Sequence, residues 1–167
     1  WRALPRVRFV AAARTLAEAG SGIAFDVGLV EPDEAATRRL WPEIVAAGLS
    51  APYVPIERFV RQRVHVDIDG NSNSWPGLFS KLLLGGAILK VRSPYAQWYY
   101  DRLDGAVAWI AEDLSDLATA IASVAGPDGA RLAAAAGALA AAMTGPAELD
   151  RAVATVEAAA DYWRTRL

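Results

Sequence analysis

The stretch Val64-His65-Val66-Asp67-Ile68-Asp69-Gly70-Asn71-Ser72-Asn73-Ser74-Trp75-Pro76 decides the fold of this 167-residue chain. Its start alternates between apolar and polar residues, which predicts a strand over 64–68 and places His65, Asp67 and Asp69 on one face. A loop of small polar residues follows, and Trp75-Pro76 begins a helix that we expect to reach Leu84 and to close at Gly85-Gly86. A strand, a loop and a helix in this order form the repeating unit of parallel α/β sheets.

Elements of both kinds flank this unit. Strands are predicted over 6–11, 23–29, 87–91 and 106–110, and helices over 12–19, 31–47, 56–61, 97–103, 115–124, 128–143 and 146–167. The last helix carries one apolar stripe at helical spacing, formed by Leu149, Val153, Val156, Ala160, Trp163 and Leu167. Because strands alternate with helices, the sequence predicts an α/β fold with a mainly parallel sheet flanked by helices and extra C-terminal helices. We expect a single domain over 1–167.

Composition argues against several functional classes. Hydrophobic residues make up 54% of the chain and charged residues 22%, which is typical of a packed core. A net charge of -2 argues against a nucleic-acid partner, because that function needs a strongly basic face. The chain has no cysteine, so disulfides, thiolate metal sites and cysteine nucleophiles are excluded. The longest apolar run, 132–143, is far shorter than the ~20 residues of a membrane span, so no span is predicted.

The loop after the central strand has the composition of an anion site. Its backbone N–H groups lie between a strand end and a positive helix end, where they can bind phosphate oxygens, and Ser74 is the expected N-cap. Lysines two turns into the helix and near the end of the next strand add positive charge. In open parallel sheets, ligands collect at such strand ends. The candidate binding residues are Asp69, Gly70, Asn71, Ser72, Asn73, Ser74, Lys81 and Lys90.

Other interpretations of the same residues compete with this one. A capped turn before a core helix accounts for the residue types without any ligand, although it does not require two aspartates and a run of small polar residues. A Rossmann dinucleotide site would need G-x-G-x-x-G, which the chain lacks. The string Asp67-Ile68-Asp69-Gly70 is also similar to the nucleophile motif of haloacid-dehalogenase-type phosphatases, in which the first aspartate attacks phosphorus beside Mg²⁺. Those enzymes usually carry threonine where this chain has Asn71.

The remaining polar and aromatic residues indicate structure rather than chemistry. His65 is the single histidine, and we expect a surface or hydrogen-bonded residue rather than a catalyst. No cluster of His, Asp and Glu has metal-ligand spacing, so no bound metal is predicted. Asp113-Leu114-Ser115-Asp116 reads as a helix start, and Trp98-Tyr99-Tyr100 as core.

The segment over 67–91, DIDGNSNSWPGLFSKLLLGGAILKV, resembles the signature of family 90 glycosyltransferases. That family includes Rumi-like protein O-glucosyltransferases, fungal capsule xylosyltransferases and bacterial lipopolysaccharide-modifying relatives. The similarity extends over residues 1–145 through shorter motifs: Leu4-Pro5-Arg6-Val7, Asp26-Val27-Gly28-Leu29, Ser93-Pro94, Gln97-Trp98-Tyr99-Tyr100, Leu103 and Asp113-Leu114-Ser115-Asp116-Leu117.

This resemblance implies the C-terminal, donor-binding half of a GT-B enzyme, which has two Rossmann-like halves around a cleft. Members transfer glucose or xylose from a UDP-sugar to a saccharide or protein hydroxyl, with inversion and without an essential metal or other cofactor. The resemblance implies that residues 69–74 and Lys81 lie beside the diphosphate. It gives Asp67 or Asp69 a role in loop geometry or in binding a ribose hydroxyl, because a carboxylate repels phosphate.

Two features set the chain apart from the family. The acceptor half, which supplies the catalytic base, has no counterpart upstream of Trp1, so the catalytic residue is unknown and we expect this chain alone to be inactive. The family usually has Pro-Trp-x-His-Tyr-x-Pro-Val where residues 104–111 read DGAVAWIA, without the histidine. A non-catalytic sugar-nucleotide-binding relative and the phosphatase are the alternative functions.

Overall fold

Three parallel strands form the sheet in the computed structural model, which describes residues 1–70 and 75–165, apart from the side chains at positions 36, 75, 76 and 163. The strands are β1 (Val64–Asp67), β2 (Ala87–Val91) and β3 (Ala108–Ile110), in the order β1-β2-β3. Asp67 stands opposite Lys90 in the first ladder, and Leu89 stands opposite Ala108 in the second. All carboxyl ends of the strands therefore meet at one edge of the sheet.

Helices pack around this sheet and continue beyond it. They are α1 (Pro5–Glu18), α2 (Ala35–Arg38), α3 (Trp41–Ala46), α4 (Trp75–Leu83), α5 (Leu117–Ala125), α6 (Pro127–Ala142) and α7 (Gly145–Arg164), with 3₁₀ helices at Ile56–Arg61 and Tyr100–Arg102. Gly85 follows α4 with a φ of 79°, the left-handed conformation that glycine adopts readily after a helix end. The predicted α/β fold with a parallel sheet and C-terminal helices is confirmed at this level.

The core lies on both faces of β2, all of whose residues are buried. Leu89 and Val91 pack with residues of α1 and α5 on one face. Ile88 packs with Leu78 and Leu82 of α4 on the other. In β1, the predicted alternation is confirmed, because Val64, Val66 and Ile68 join the first cluster, whereas the polar residues between them are buried on the α4 side. The sheet therefore has a polar row enclosed beneath one of its helices.

The strand predicted over 6–11 is wrong, because these residues belong to α1. Arg and apolar residues alternate there, which favours a strand locally, but Pro5 stands in the first turn of a helix. Val7 and Val10 pack against the α3 region, whereas Phe9 and Ala13 pack against the sheet. One helix with two buried faces produces the same alternating pattern as a strand.

Two further elements differ from prediction. Residues 23–29 are extended and alternate in burial, but only Leu29 forms a bridge, with Ser50. A strand requires a paired neighbour as well as a pattern, and this segment has none along most of its length in the described chain. The helix predicted over 31–47 is divided into α2 and α3. Pro42 explains the break, since proline lacks an N–H and its ring clashes with the preceding turn.

The apolar stripe of α7 does not join the core, because Leu149, Val153 and Val156 are exposed. In the described part of the chain, no helix on its own has the length and apolar composition of a membrane span. The segments 127–142 and 145–162 have that length and composition only when they are taken together, and the chain bends by 80° between them.

Candidate functional site

A buried network of charges joins β1, β2 and α4. The Nζ atom of Lys90 lies 2.8 Å from Asp67 Oδ2 and 2.8 Å from Asp69 Oδ1. Lys81 Nζ lies 2.8 Å from the other oxygen of Asp67. The side chains of Lys90 and Asp67 are completely buried, whereas that of Lys81 is 22% exposed. Two lysines and two aspartates sum to zero, so the network supplies no net charge to a ligand.

The ion pairs keep Asp67 and Lys90 in their charged forms. Burial alone would raise the pKa of Asp67, but Lys81 and Lys90 outweigh it and lower that pKa overall. Burial alone would lower the pKa of Lys90, but Asp67 and Asp69 raise it to about 12. Each charge is therefore stable inside the protein only while its partners remain.

Hydrogen bonds to Asp69 connect the residues after β1 with the segment that follows β2. Ser93 Oγ donates a hydrogen bond of 2.5 Å to Asp69 Oδ2, and the Tyr100 hydroxyl lies 3.5 Å from the same oxygen. Tyr95 N in turn donates to Ser93 Oγ at 3.2 Å. With Lys90 on its other oxygen, Asp69 is held on both sides. These contacts fix the path of the chain between the end of β1 and Gly70.

A cavity opens directly above this fixed point, between the carboxyl ends of β1 and β2. Its volume is about 190 Å³, and Glu112 reaches it from the end of β3. Its walls are formed by Pro5, Ile68, Asp69, Gly70, Val91, Arg92, Ser93, Pro94, Tyr95 and Glu112. Strand ends of an open parallel sheet are the usual place for ligands. The predicted position of the site and the described cavity thus coincide at Asp69 and Gly70.

Arginines supply the positive charge around this cavity. Arg6 Nη2 donates to the Ile68 carbonyl at 3.4 Å, and a Cβ atom at Gly70 would lie 3.4 Å from the same guanidinium. Arg92 lines the cavity and stacks on Trp109 with its Cζ atom 4.8 Å from the ring centroid. Neither arginine forms an ion pair within residues 1–70 and 75–165. Both are therefore able to bind an anion.

A wider depression of about 630 Å³ lies beside the first, at the end of β3. Arg8, Arg92, Glu112 and Asp113 are among the residues that line it. A hydrogen bond from the Ser115 backbone N–H lowers the pKa of Asp113, and Arg8 contributes to the same shift. Leu114 has a φ of 65°, which is strained for leucine, so this loop holds an unusual backbone shape next to the cavity.

His65 lies in the same polar row as the two aspartates. The prediction that it is a surface residue or a hydrogen-bonded one is wrong. It is buried, and neither ring nitrogen has a hydrogen-bond partner in the described chain. Burial lowers the pKa of His65, and the charge on Lys81 lowers it further. Gly86 is the reason that the ring fits, because a Cβ atom there would lie 2.6 Å from His65 Nε2.

The structure distributes the predicted site residues over two environments. Asp69 and Gly70 line the cavity, whereas Lys81 and Lys90 pair with aspartates beneath it. Asn71, Ser72, Asn73 and Ser74 lie outside the described residues. Sequence reasoning missed the arginines. The position of Arg92 directly after β2 was a usable signal, whereas Arg6 is 62 positions from its contact at Ile68. Over the described residues, no three His, Cys, Asp or Glu side chains are grouped as metal ligands.

Comparison with known proteins adds no assignment. No family model matches the chain, and no curated protein or solved structure gives a significant match. The site geometry and the sequence resemblance over residues 67–91 are therefore the grounds for a function of this domain.

Proposed function

We propose that this domain binds a UDP-sugar, UDP-glucose or UDP-xylose, with the diphosphate at the carboxyl edge of the sheet. In this proposal it is the Rossmann-like donor half of a GT-B glycosyltransferase, which transfers the sugar to a saccharide or protein hydroxyl with inversion and without a metal. One observation carries the proposal: Gly70, shortly after β1 and within the segment that resembles family 90, lines a cavity with Arg92 and lies beside the Arg6 guanidinium.

The chemistry of the donor suits these groups. Breaking the bond from the sugar to UDP leaves negative charge on the diphosphate, and donors placed in advance around it stabilise the transition state. Arginine offers a planar fork of N–H groups that matches phosphate oxygens. Gly70 adds a position without a side chain, where backbone can approach the ligand closely. A base that accepts the proton of the acceptor hydroxyl is expected from the acceptor half.

The buried lysines support the same binding mode indirectly. Lys90 and Lys81 hold Asp67 and Asp69 in place, and Asp69 holds the exit of β1. In our proposal these lysines position the loop rather than contact the diphosphate. This differs from the prediction that they add positive charge at the ligand.

The phosphatase alternative is weakened by the burial of Asp67. A nucleophilic aspartate must reach the phosphorus of its substrate, but Asp67 is fully buried and each of its oxygens is 2.8 Å from a lysine Nζ. A non-catalytic sugar-nucleotide-binding relative stays as the second candidate, because it needs the same cavity and no base.

Ligand binding tests the proposal directly. We expect UDP, UDP-glucose and UDP-xylose to raise the melting temperature, whereas GDP-sugars and NAD leave it unchanged. A ligand at ~100 times its dissociation constant adds about 2.7 kcal/mol to the free energy of unfolding. Stabilisation by NAD and by no UDP species would show that the proposed donor is wrong.

Two variants with matched controls locate the binding. Gly70→Val should abolish UDP binding, because its methyl groups displace the Arg6 guanidinium from its place beside residue 70. Gly137→Val is its control, since nothing lies within 4 Å of a Cβ atom there. Arg92→Gln should weaken binding about tenfold in a salt-dependent way, whereas Arg131→Gln on α6 should not. Unchanged affinity in folded Gly70→Val and Arg92→Gln would move the site elsewhere.

A further inference from the structure

The segment over residues 53–63, called the basic apolar segment below, exposes apolar side chains that no described element covers. Tyr53 is 73% exposed, Ile56 46%, Phe59 38% and Val60 59%. The 3₁₀ helix Ile56–Arg61 within it has no buried residue. Large apolar side chains that cluster on a surface, rather than occur singly, mark an interaction site.

Arginines are interleaved with these side chains. Arg58, Arg61 and Arg63 are all exposed, so three of the chain's 17 basic residues fall within six positions. Glu57 is the single acidic residue of the segment, although the whole chain has a net charge of -2. None of the three arginines forms an ion pair within the described ranges. The segment is thus a cationic and apolar patch on an acidic protein.

The place of the segment in the fold separates it from the candidate site. It ends directly before β1, and the Arg63 carbonyl accepts a hydrogen bond from Ala87 N at the start of β2. It therefore lies at the amino edge of the sheet, whereas the cavity lies at the carboxyl edge. A partner bound at this patch leaves the cavity open.

We propose that the basic apolar segment docks on an anionic lipid surface. Its apolar side chains would enter the boundary between headgroups and acyl chains, and its arginines would contact the lipid phosphates. The charge of the patch complements such a surface, and its size distinguishes lipid from protein. A stable protein interface involves about 20–30 residues on each side, whereas a bilayer accepts a few protruding side chains.

The exposed face of α7 provides an internal comparison. Leu149, Val153 and Val156 are comparably exposed, but the same helix carries four carboxylates and only two arginines: Glu148, Asp150, Glu157 and Asp161 against Arg151 and Arg164. An anionic surface repels these carboxylates. We therefore expect the attachment to use the basic apolar segment and not the apolar face of α7.

Sedimentation with vesicles tests this proposal. The full chain should bind vesicles that contain about 30% phosphatidylglycerol and should not bind pure phosphatidylcholine, with an affinity that falls as salt rises. Each arginine contributes about fivefold to partitioning, so Arg58→Gln with Arg61→Gln should reduce binding about 25-fold. Phe59→Ser with Val60→Ser should reduce it as well, through lost insertion.

Matched variants on the C-terminal helices complete the test. Arg131→Gln with Arg164→Gln, and Leu149→Ser with Val153→Ser, make the same changes at exposed positions and should leave binding within about twofold. Melting temperatures verify that all variants are folded, and UDP affinity should be the same in each. Absence of binding to anionic vesicles, or equal loss in both arginine pairs, would overturn the proposal. Stronger binding to polyglutamate beads than to anionic vesicles would indicate an acidic protein partner, and it would overturn the lipid proposal too.

Discussion

Replacing Lys90 by methionine should destabilise the protein by about 3–5 kcal/mol, because it leaves buried carboxylates without their cation. Lys90 lies 2.8 Å from Asp67 and 2.8 Å from Asp69, and its side chain is fully buried. Methionine fills a similar volume, so the cost arises from charge rather than from a cavity. Lys81 still neutralises one oxygen of Asp67, and Asp69 therefore becomes the poorly paired group.

The pKa of Lys90 gives an independent magnitude. Its rise from 10.5 to about 12 corresponds to about 2 kcal/mol of extra stability in the folded state. Because the folded pKa is the higher one, this contribution is complete below pH 10.5 and is lost as the pH rises towards 12. The difference in stability between the wild type and Lys90→Met should shrink over that interval.

Urea denaturation of a double-mutant cycle measures the coupling. Asp69→Asn alone should cost about 1–3 kcal/mol, whereas in the Lys90→Met background it should restore part of the loss, because it removes the uncompensated charge. Lys81→Met is the matched control and should cost about 1 kcal/mol, since Lys81 is partly exposed. Costs that add within about 0.5 kcal/mol would refute the reasoning. If Lys90→Met is as stable as the wild type but no longer binds UDP, Lys90 contacts the ligand instead.

Three smaller predictions concern the same polar row. Gly86→Ala should cost about 1–3 kcal/mol in urea denaturation, because its Cβ atom would overlap the His65 ring, and a fully stable variant would contradict the packing. The stability of the wild type should fall as the pH drops below the ordinary value of 6.5, because the folded pKa of His65 is lowered and the unfolded chain takes up the proton first. His65→Leu should remove that part of the pH dependence, and identical pH profiles would refute it. Ser93→Ala should lower the free energy of unfolding by about 1.5–3 kcal/mol, because it removes the 2.5 Å hydrogen bond to the Asp69 carboxylate. A clearly smaller loss in urea denaturation would contradict this role of Ser93.

Local patterns in the sequence determined the central unit of the fold. Alternation from Val64 to Asp69 places three polar residues on one face of β1, and this is the face that the structure buries. The bounds of α4 and β2 follow from Trp75-Pro76, Gly85-Gly86 and a short apolar run. These features depend on the period of one element and on its end residues, which are written within a few positions.

Tertiary structure decided what those polar residues contact. Lys81 and Lys90 carry charge by their residue type, but only the packing of α4 and β2 against β1 shows that aspartates neutralise them. Arg6 lies in α1, where a strand was predicted, and contacts the carbonyl of Ile68 62 positions away. Such contacts depend on how elements that are far apart in the sequence pack together, and the local pattern of apolar and polar residues does not contain that information. The sequence alone therefore determined where the candidate site lies, just after β1, whereas the folded chain decided that Arg92 lines its cavity and that the two lysines pair with aspartates.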